Sequence, residues 1–277
     1  MGRMQYVTLN NGLQMPQFGL GVYKMSDEKA DAVITKAYDV GYRMIDTAKI
    51  YKNERAVGEA IARNHLPREE LFVTTKLWNS DHGYENAFKA FDESLEKLGL
   101  EYIDLYLIHW PMPMYDEYIE TYKALEKIYQ DGRTKAIGVC NFNIEHLERL
   151  LDACDIIPAV NQVECHPYLQ QHELKEYCHK HHIHIEAYSP LMVGGEVLQN
   201  ETIHNIAQRY GKTPAQVILR WHLQSDHIVI PKSVTPSRIE ENFHVFDFEL
   251  SANDMEEIAS LDCNERKRPD PNEMDQR

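Results

Sequence analysis

Eight short apolar runs, separated by stretches with helical periodicity, constrain the fold more than any other feature of this sequence. They lie at 18–23, 44–48, 72–77, 103–110, 136–141, 159–164, 183–189 and 227–233. Strands that alternate with helices pair in parallel, because the helix supplies the crossover that a parallel pair requires. Eight evenly spaced units in 277 residues predict an α/β fold, a closed (β/α)8 TIM barrel formed by residues 1–277 as a single domain.

An open, doubly wound sheet is the alternative arrangement of the same elements. Its dinucleotide-binding form usually carries G-x-G-x-x-G after the first strand, whereas this chain has only Gly19-Leu20-Gly21 there. Gly99 is a typical stop for the amphipathic pattern at 84–98, and the Thr-Pro pairs at 213–214 and 235–236 are typical helix starts. These signals fit the barrel.

The two ends of the chain differ in pattern. Asn11-Gly12 lies between alternating residues, which predicts a β-hairpin ahead of the barrel. Ser251 opens a last helix, and the polar segment 265–277 after it is expected to be loosely held and to add little to any pocket.

Composition and charge exclude several classes of function. No apolar run is long enough to span a bilayer, and the sequence MGRMQYVTL lacks a signal-peptide pattern. A formal net charge of −15 argues against a nucleic-acid partner. Five cysteines with no CxxC pair favour a reducing compartment, so we expect a cytoplasmic protein with no membrane or nucleic-acid partner.

Ionisable residues lie at the carboxyl ends of three neighbouring strands. Asp46 ends the second strand with Tyr51 just beyond it, Lys76 lies near the end of the third, and His109 lies at the end of the fourth. Active sites of such barrels lie at this rim. Each residue taken singly is better explained as a structural ion pair or a satisfied core polar group. Four residues in adjacent positions favour catalysis.

The four side chains suit proton transfer to an oxygen. A buried lysine needs a charged partner, which Asp46 supplies. Lys76 beside Tyr51 is expected to lower the phenol pKa toward the working pH and make Tyr51 a general acid, while His109 orients the substrate oxygen. A second cationic site follows the eighth strand, where Lys232, Ser233 and Arg238 surround a helix start and could hold a phosphate.

Seven motifs in order carry a resemblance that covers almost the whole chain. They are IDTAKIYKNE, FVTTKLWN, DLYLIHWP, GVCNFN, NQVECHPYLQ, AYSPL and IPKSVTPSRIEEN, and they resemble the signatures of the aldo-keto reductase superfamily. The resemblance places the catalytic tetrad on the same four residues. It implies NADPH as cofactor, a small carbonyl compound as substrate and a monomer as the default state.

The resemblance also assigns cofactor contacts. It implies that Lys232, Ser233, Val234 and Arg238 hold the 2′-phosphate and that Glu241 and Asn242 contact adenine. It further implies that Asn141 and Gln162 hold the carboxamide, that Tyr188 stacks on nicotinamide, and that Ser189 and Leu191 follow the pyrophosphate. Cys140 departs from the usual serine and is a weaker donor. A reactive role for this thiol is not favoured, because nothing in the sequence predicts a lowered pKa.

Substrate contacts are expected from His109 and from the strand-end aromatics Tyr23, Trp78 and Trp110, although ordinary barrel packing would also explain the aromatics. The segment after the seventh strand is short, which favours an open pocket with broad tolerance. The chain is similar to short microbial members that act on methylglyoxal, glyoxal, diketo-gluconates or aromatic aldehydes, and to prostaglandin F synthases of the superfamily. The sequence does not choose among these.

Three other hypotheses explain parts of the sequence less well. His182 and His184 of the histidine-rich run 178–186 share a strand face, but no second cluster completes a metal site, so no metal is expected. An NADP(H)-binding sensor or interaction protein with little turnover is the alternative function, and the complete tetrad disfavours it. A Schiff-base role for Lys76 is disfavoured because Asp46 would keep the amine protonated.

Overall fold

The computed structural model describes residues 3–277. Its strands are β1 (Tyr6–Thr8), β2 (Gln14–Pro16), β3 (Leu20–Gly21), β4 (Met44–Asp46), β5 (Phe72–Leu77), β6 (Leu105–Ile108), β7 (Ile137–Cys140), β8 (Val160–Glu164), β9 (His184–Tyr188) and β10 (Ile228–Val229). Its helices are α1 (Asp27–Val40), α2 (Glu54–Arg63), α3 (Tyr84–Leu98), α4 (Tyr118–Gln130), α5 (Ile144–Ala153), α6 (His172–Lys180), α7 (Glu201–Tyr210), α8 (Pro214–Gln224), α9 (Pro236–Phe243) and α10 (Ala252–Ala259).

Strands β3 to β10 form one parallel sheet in chain order, with helices between them. The first and last strands also meet, because Phe18 bridges Val229 and Gly21 bridges Lys232 in the parallel sense. The Gly19 amide donates to the Val229 carbonyl at 2.9 Å. The sheet therefore closes on itself, and the predicted (β/α)8 barrel with its hairpin is confirmed.

The hairpin covers the amino end of the barrel. Strands β1 and β2 pair antiparallel, and the turn passes through Gly12 with a φ of 85°. Val7, Leu9 and Met15 of the hairpin pack with Met44 and Phe72, the first residues of β4 and β5. This lower core closes the end of the barrel opposite the strand carboxyl ends.

The barrel strands are buried on both faces, as expected for a parallel sheet covered by helices. Every residue of β4 to β8 is buried, including polar residues such as Asp46, Lys76 and Gln162. Helices α2 and α3 approach closely at Gly58, where an added Cβ would lie 2.1 Å from the Leu98 carbonyl oxygen. A side chain at that position would force the two helices apart.

The helix signals agree with the structure in most details. Gly99 ends α3 in the left-handed region with a φ of 63°. The Thr213 hydroxyl caps α8, and the Ser251 hydroxyl caps α10. Helix α9 begins at Pro236 as predicted, but the Thr235 hydroxyl makes no cap bond there. Several strands are shorter than the apolar runs, most clearly β3 and β10, because the outer residues Phe18 and Lys232 form only isolated bridges.

The expectation that segment 265–277 is loosely held is wrong. The amides of Lys267 and Arg268 each donate at 2.9 Å to a different oxygen of the Glu164 carboxylate. Asn79 donates to the Gln276 carbonyl at 2.6 Å, and the Met274 side chain is buried. The segment is therefore held by hydrogen bonds to its backbone and by the packing of Met274. No helix within residues 3–277 has the length and hydropathy needed to cross a bilayer.

Candidate active site

The structure brings Asp46, Tyr51, Lys76 and His109 together at the carboxyl ends of β4, β5 and β6. Lys76 is fully buried, and its Nζ donates to Asp46 Oδ1 at 2.6 Å and to the Thr47 carbonyl at 2.9 Å. This Nζ lies 5.2 Å from the centroid of the Tyr51 ring. The Tyr51 and His109 ring centroids are 5.9 Å apart. Parallel strands place their ends on one rim, which explains the convergence.

Charges in this group follow from burial and from the ion pair. Burial opposes the charge on Lys76, but the neighbouring Asp46 and Tyr51 raise the Lys76 pKa above its usual value, so the amine stays protonated. Burial and then the Lys76 charge lower the pKa of His109 well below its usual value, so this imidazole is neutral. The site therefore holds one cation at its floor and a neutral imidazole beside it.

The expected net lowering of the Tyr51 pKa is wrong. Burial raises the Tyr51 pKa above its usual value, and the opposing effect of Lys76 is smaller. The physical reason is that the sequence revealed the cation but not the depth at which the phenol lies. Tyr51 is consequently protonated at neutral pH, and Lys76 reduces the free-energy cost of ionising it.

A second buried carboxyl group lies below the tetrad, and sequence reasoning missed it. Glu186 in β9 is fully buried, and Gln162 Nε2 donates both to its Oε2 at 3.0 Å and to Asp46 Oδ2 at 2.8 Å. Burial, then the charge of Asp46, raise the pKa of Glu186 to about 8. The available signal was a lone acid inside the apolar strand pattern IHIEAYS.

A cavity of about 1120 Å³ extends from the tetrad to the start of α9. Lys76 lies beneath its surface, while Asp46, Tyr51 and His109 line it. All eleven cofactor residues named from the sequence line it too, namely Asn141, Gln162, Tyr188, Ser189, Leu191, Lys232, Ser233, Val234, Arg238, Glu241 and Asn242. One cavity thus reaches from the tetrad to the start of α9, which suits a dinucleotide and a small second ligand.

At the inner end of the cavity, amide groups are fixed by neighbouring side chains. Asn141 Nδ2 donates to the His109 carbonyl at 2.9 Å, and Tyr188 donates to Asn141 Oδ1 at 2.6 Å. Both hydrogens of the Gln162 amide are directed at carboxyl groups, and its Oε1 faces the Cys140 sulfur at 3.8 Å. Burial raises the pKa of Cys140, so the thiol is protonated and has no nucleophilic character.

At the outer end, cations surround the start of α9. Lys232 and Arg238 are exposed, and neither makes an ion pair with any residue in the described range 3–277. Ser233 Oγ accepts from the Thr235 amide at 3.2 Å, which shapes the loop ahead of the helix. Two free cations at a helix N-terminus fit an anionic phosphate. Glu241 differs, because its carboxylate accepts from the Thr213 hydroxyl at 2.9 Å.

Aromatic side chains form the wall beside the tetrad. The Tyr23 ring lies 5.0 Å from that of Tyr51, and the Trp78 ring lies 5.2 Å from that of His109. Trp110 packs with Met112 and Met274, and Trp78 lies against this group. Residues of segment 265–277 also line the cavity, namely Arg268, Pro269, Met274 and Gln276. The expectation that this segment adds little to the pocket is therefore wrong.

The histidine-rich run does not take part in this site. Within residues 3–277, one group of three or more His, Cys, Asp or Glu residues has ligand atoms within 4.8 Å of one another, and it consists of Cys165, His222 and His227. These residues lie outside the run 178–186 and do not line the cavity. His182 is exposed, and His184 hydrogen-bonds the Thr8 carbonyl at 3.1 Å.

Comparisons with known proteins point to one family. Residues 15–262 match the sequence profile described as the aldo/keto reductase family. The chain is 50% identical over 275 residues to methylglyoxal reductase DkgA of Escherichia coli strain K12, which covers 99% of each protein. It is 52% identical over 269 residues to glyoxal reductase of Bacillus subtilis strain 168, which covers 97% of this chain and 96% of the relative.

Solved structures show the same fold. An aldo-keto reductase enzyme, MGS-M4, from a Medee basin deep-sea metagenome library superposes with a TM-score of 0.95 at 48% identity, covering 98% of this chain and 100% of that one. A mutant of Gox0644, solved in complex with NADPH, gives a TM-score of 0.94 at 45% identity, covering 99% of both chains.

Proposed function

The chain belongs to the aldo/keto reductase family, and from this premise we propose that it uses NADPH to reduce aldehydes, α-ketoaldehydes or keto-sugars to alcohols, with Tyr51 as the general acid. One observation carries the proposal. A fully buried lysine, paired with Asp46 at 2.6 Å, lies 5.2 Å from the ring of Tyr51 at the floor of a long cavity.

Each member of the tetrad has a role that its environment supports. Tyr51 is protonated before reaction, because burial raises its pKa, and it can give its proton to the oxygen of a reduced carbonyl. Lys76 stabilises the phenolate left behind, and Asp46 keeps Lys76 charged and in place. Neutral His109 can donate one hydrogen bond to the same oxygen. When bound, NADPH supplies the hydride that the carbonyl carbon receives.

The cavity fits the cofactor along its length. We assign Lys232, Ser233, Val234 and Arg238 to the 2′-phosphate, because two unpaired cations there favour NADPH over NADH. Glu241 and Asn242 would contact adenine, Ser189 and Leu191 the pyrophosphate, and Tyr188 the nicotinamide ring. Asn141 and Gln162 Oε1, which already accepts from the Cys140 thiol at 3.8 Å, would hold the carboxamide. The NADPH complex of Gox0644 supports NADPH as the cofactor.

The substrate class rests on the wall and on the relatives. Tyr23, Trp78, His109 and Trp110 enclose the space beside Tyr51, with Met274 from the carboxyl-terminal segment. Relatives of about half-identical sequence are named methylglyoxal reductase and glyoxal reductase, which favours small dicarbonyl compounds. We further propose a single-domain monomer in the cytoplasm.

The test is NADPH consumption with a panel of aldehydes, α-ketoaldehydes, keto-sugars and quinones, repeated with NADH. Tyr51→Phe should lower kcat by about 10²–10⁴-fold for every substrate, since that is the usual contribution of a general acid. Tyr23→Phe, which removes a hydroxyl from the adjacent ring, should keep kcat within a few-fold. NADPH affinity, followed by fluorescence, should be unchanged in both variants.

Two outcomes would contradict the proposal. Near-normal reduction by Tyr51→Phe would show that another group is the acid. Tight NADPH binding without turnover of any carbonyl would favour the alternative, a nucleotide sensor or interaction protein.

A further inference from the structure

Asp46, Lys76, Gln162 and Glu186 form a buried hydrogen-bonded network. Glu186 is the member of this network that the proposed reaction does not use. It lies at the middle of β9, where its register partners are Gln162 in β8 and Ile228 in β10. Its Oε2 accepts from Gln162, whereas its Oε1 is buried and has no hydrogen-bond partner among residues 3–277. A buried carboxyl oxygen without a partner is costly unless the group is uncharged.

The charges around Glu186 explain how it is kept neutral. Asp46 and Glu186 share the Gln162 amide, but of these two carboxyl groups Lys76 bonds only that of Asp46. Ionised Glu186 would leave the barrel interior with two negative charges and one positive charge. The other titratable group that faces it is the protonated thiol of Cys140 in β7, and Ile228 on the β10 side is apolar. The interior is therefore balanced only with Glu186 protonated.

The same contacts fix the orientation of Gln162. A side-chain amide has two N–H donors and one carbonyl acceptor. Here both donors point down at carboxyl groups, so the acceptor is left for the cavity, next to Cys140. Rotating the amide by half a turn would bring its oxygen against Asp46 and Glu186. The lower carboxyl groups thus decide which atom of Gln162 a ligand meets.

We propose that Glu186 is a positioning residue, which orients the Gln162 amide toward the cofactor and acts as a buried acid whose ionisation at alkaline pH lowers the rate of reduction. This inference rests on the proposed function. A new negative charge beneath Lys76 would draw the ammonium charge away from Tyr51 and make the phenolate less stable. Proton donation by Tyr51 would then slow.

The experiment compares wild type with Glu186→Gln and Glu186→Ala between pH 7 and pH 9.5. The glutamine keeps an acceptor for Gln162 but cannot ionise. We expect Glu186→Gln to match wild-type kcat at pH 7 within a few-fold. As pH rises through 8, wild-type kcat should fall roughly fivefold, whereas the kcat of Glu186→Gln should not. Glu186→Ala should raise the KM for NADPH several-fold at pH 7, and the glutamine should rescue it.

Two results would overturn the inference. Identical pH profiles of kcat for wild type and Glu186→Gln would show that ionisation of Glu186 does not control the rate. An unchanged KM for NADPH in Glu186→Ala would show that Glu186 does not position Gln162. Should Glu186→Ala fail to fold by circular dichroism, an infrared spectrum still decides. Wild type should show a protonated carboxyl band at pH 7 that disappears toward pH 9.5, and Glu186→Gln should lack it. That band requires no turnover, so its presence without carbonyl reduction would count only against the proposed function.

Discussion

Two polar clusters in this barrel are equally buried but differ in charge, in hydrogen bonding and in their position relative to the cavity. The tetrad floor, formed by Asp46, Lys76, Gln162 and Glu186, holds an ion pair and a shared amide directly under the cavity. The histidine cluster, formed by Cys165 just after β8, His222 in α8 and His227 just before β10, lies away from the cavity.

The histidine cluster carries no charge. Burial lowers the pKa of His222 to about 3 and that of His227 well below its usual value. The two rings share one contact, 3.1 Å between their Nδ1 atoms, and both Nε2 atoms are buried without partners among residues 3–277. Burial of polar groups alone therefore does not mark an active site. A charged, hydrogen-bonded group that reaches a cavity does.

The largest expected effect tests the charged cluster. Lys76→Met should lower kcat by about 10³-fold, because the phenolate of Tyr51 loses its stabilising cation. It should also cost about 3–5 kcal/mol of unfolding free energy, since Asp46 is left buried and unpaired. Steady-state kinetics and urea unfolding measure the two losses.

The double variant Asp46→Asn with Lys76→Met is the matched control. It removes both charges, so most of the stability should return while kcat stays low. Recovery of activity in the double variant would contradict the view that the pair serves catalysis.

The next largest effect is the loss of stability that the histidine cluster should cause at acid pH. The pKa of His222 is lower in the folded protein than in the unfolded chain, where it is about 6.5. The contribution of neutral His222 to the free energy of unfolding is therefore full above pH 6.5 and is lost as pH falls toward about 3. Near pH 4.5, His222 alone should lower the free energy of unfolding by about 2–3 kcal/mol. Urea midpoints measured from pH 7 to pH 4.5 should fall less in His222→Asn than in wild type. Exposed His65→Asn is the control, and an equal effect from it would refute the assignment.

A smaller effect is expected where the carboxyl-terminal segment reaches the cavity. Met274→Ala removes a buried side chain that packs with Trp110, so the KM for the carbonyl substrate should rise about five- to tenfold while the KM for NADPH is unchanged. Met255→Ala in α10 makes the same truncation in a half-buried methionine outside the cavity. Equal shifts in both variants would show that the effect is not local.

The smallest effect completes the comparison. Cys165→Ala should leave kcat and both KM values within about twofold, because this thiol does not touch the cavity or the tetrad. A tenfold loss of kcat would show that the neutral cluster is coupled to the reaction after all.

The sequence predicts the parts of this molecule that local rules govern. Strand ends share one rim in a parallel barrel, so Asp46, Lys76 and His109 could be placed together from the sequence alone, and Asn11-Gly12 marked the hairpin. The rest depends on distant contacts. Glu164 accepts hydrogen bonds from the backbone amides of Lys267 and Arg268, more than a hundred positions away, and no local sequence pattern predicts such bonds. The raised pKa of Tyr51 likewise reflects depth, which periodicity does not report.

The anchoring of the last residues has a practical consequence for handling the protein. The Gln276 carbonyl is hydrogen-bonded to Asn79, and the Arg277 guanidinium pairs with Glu117. An affinity tag fused after Arg277 would begin next to the cavity, which Gln276 lines, and would compete for these contacts. Such a tag would alter the measured kinetic constants, so it should be placed at the amino-terminal side or removed by cleavage.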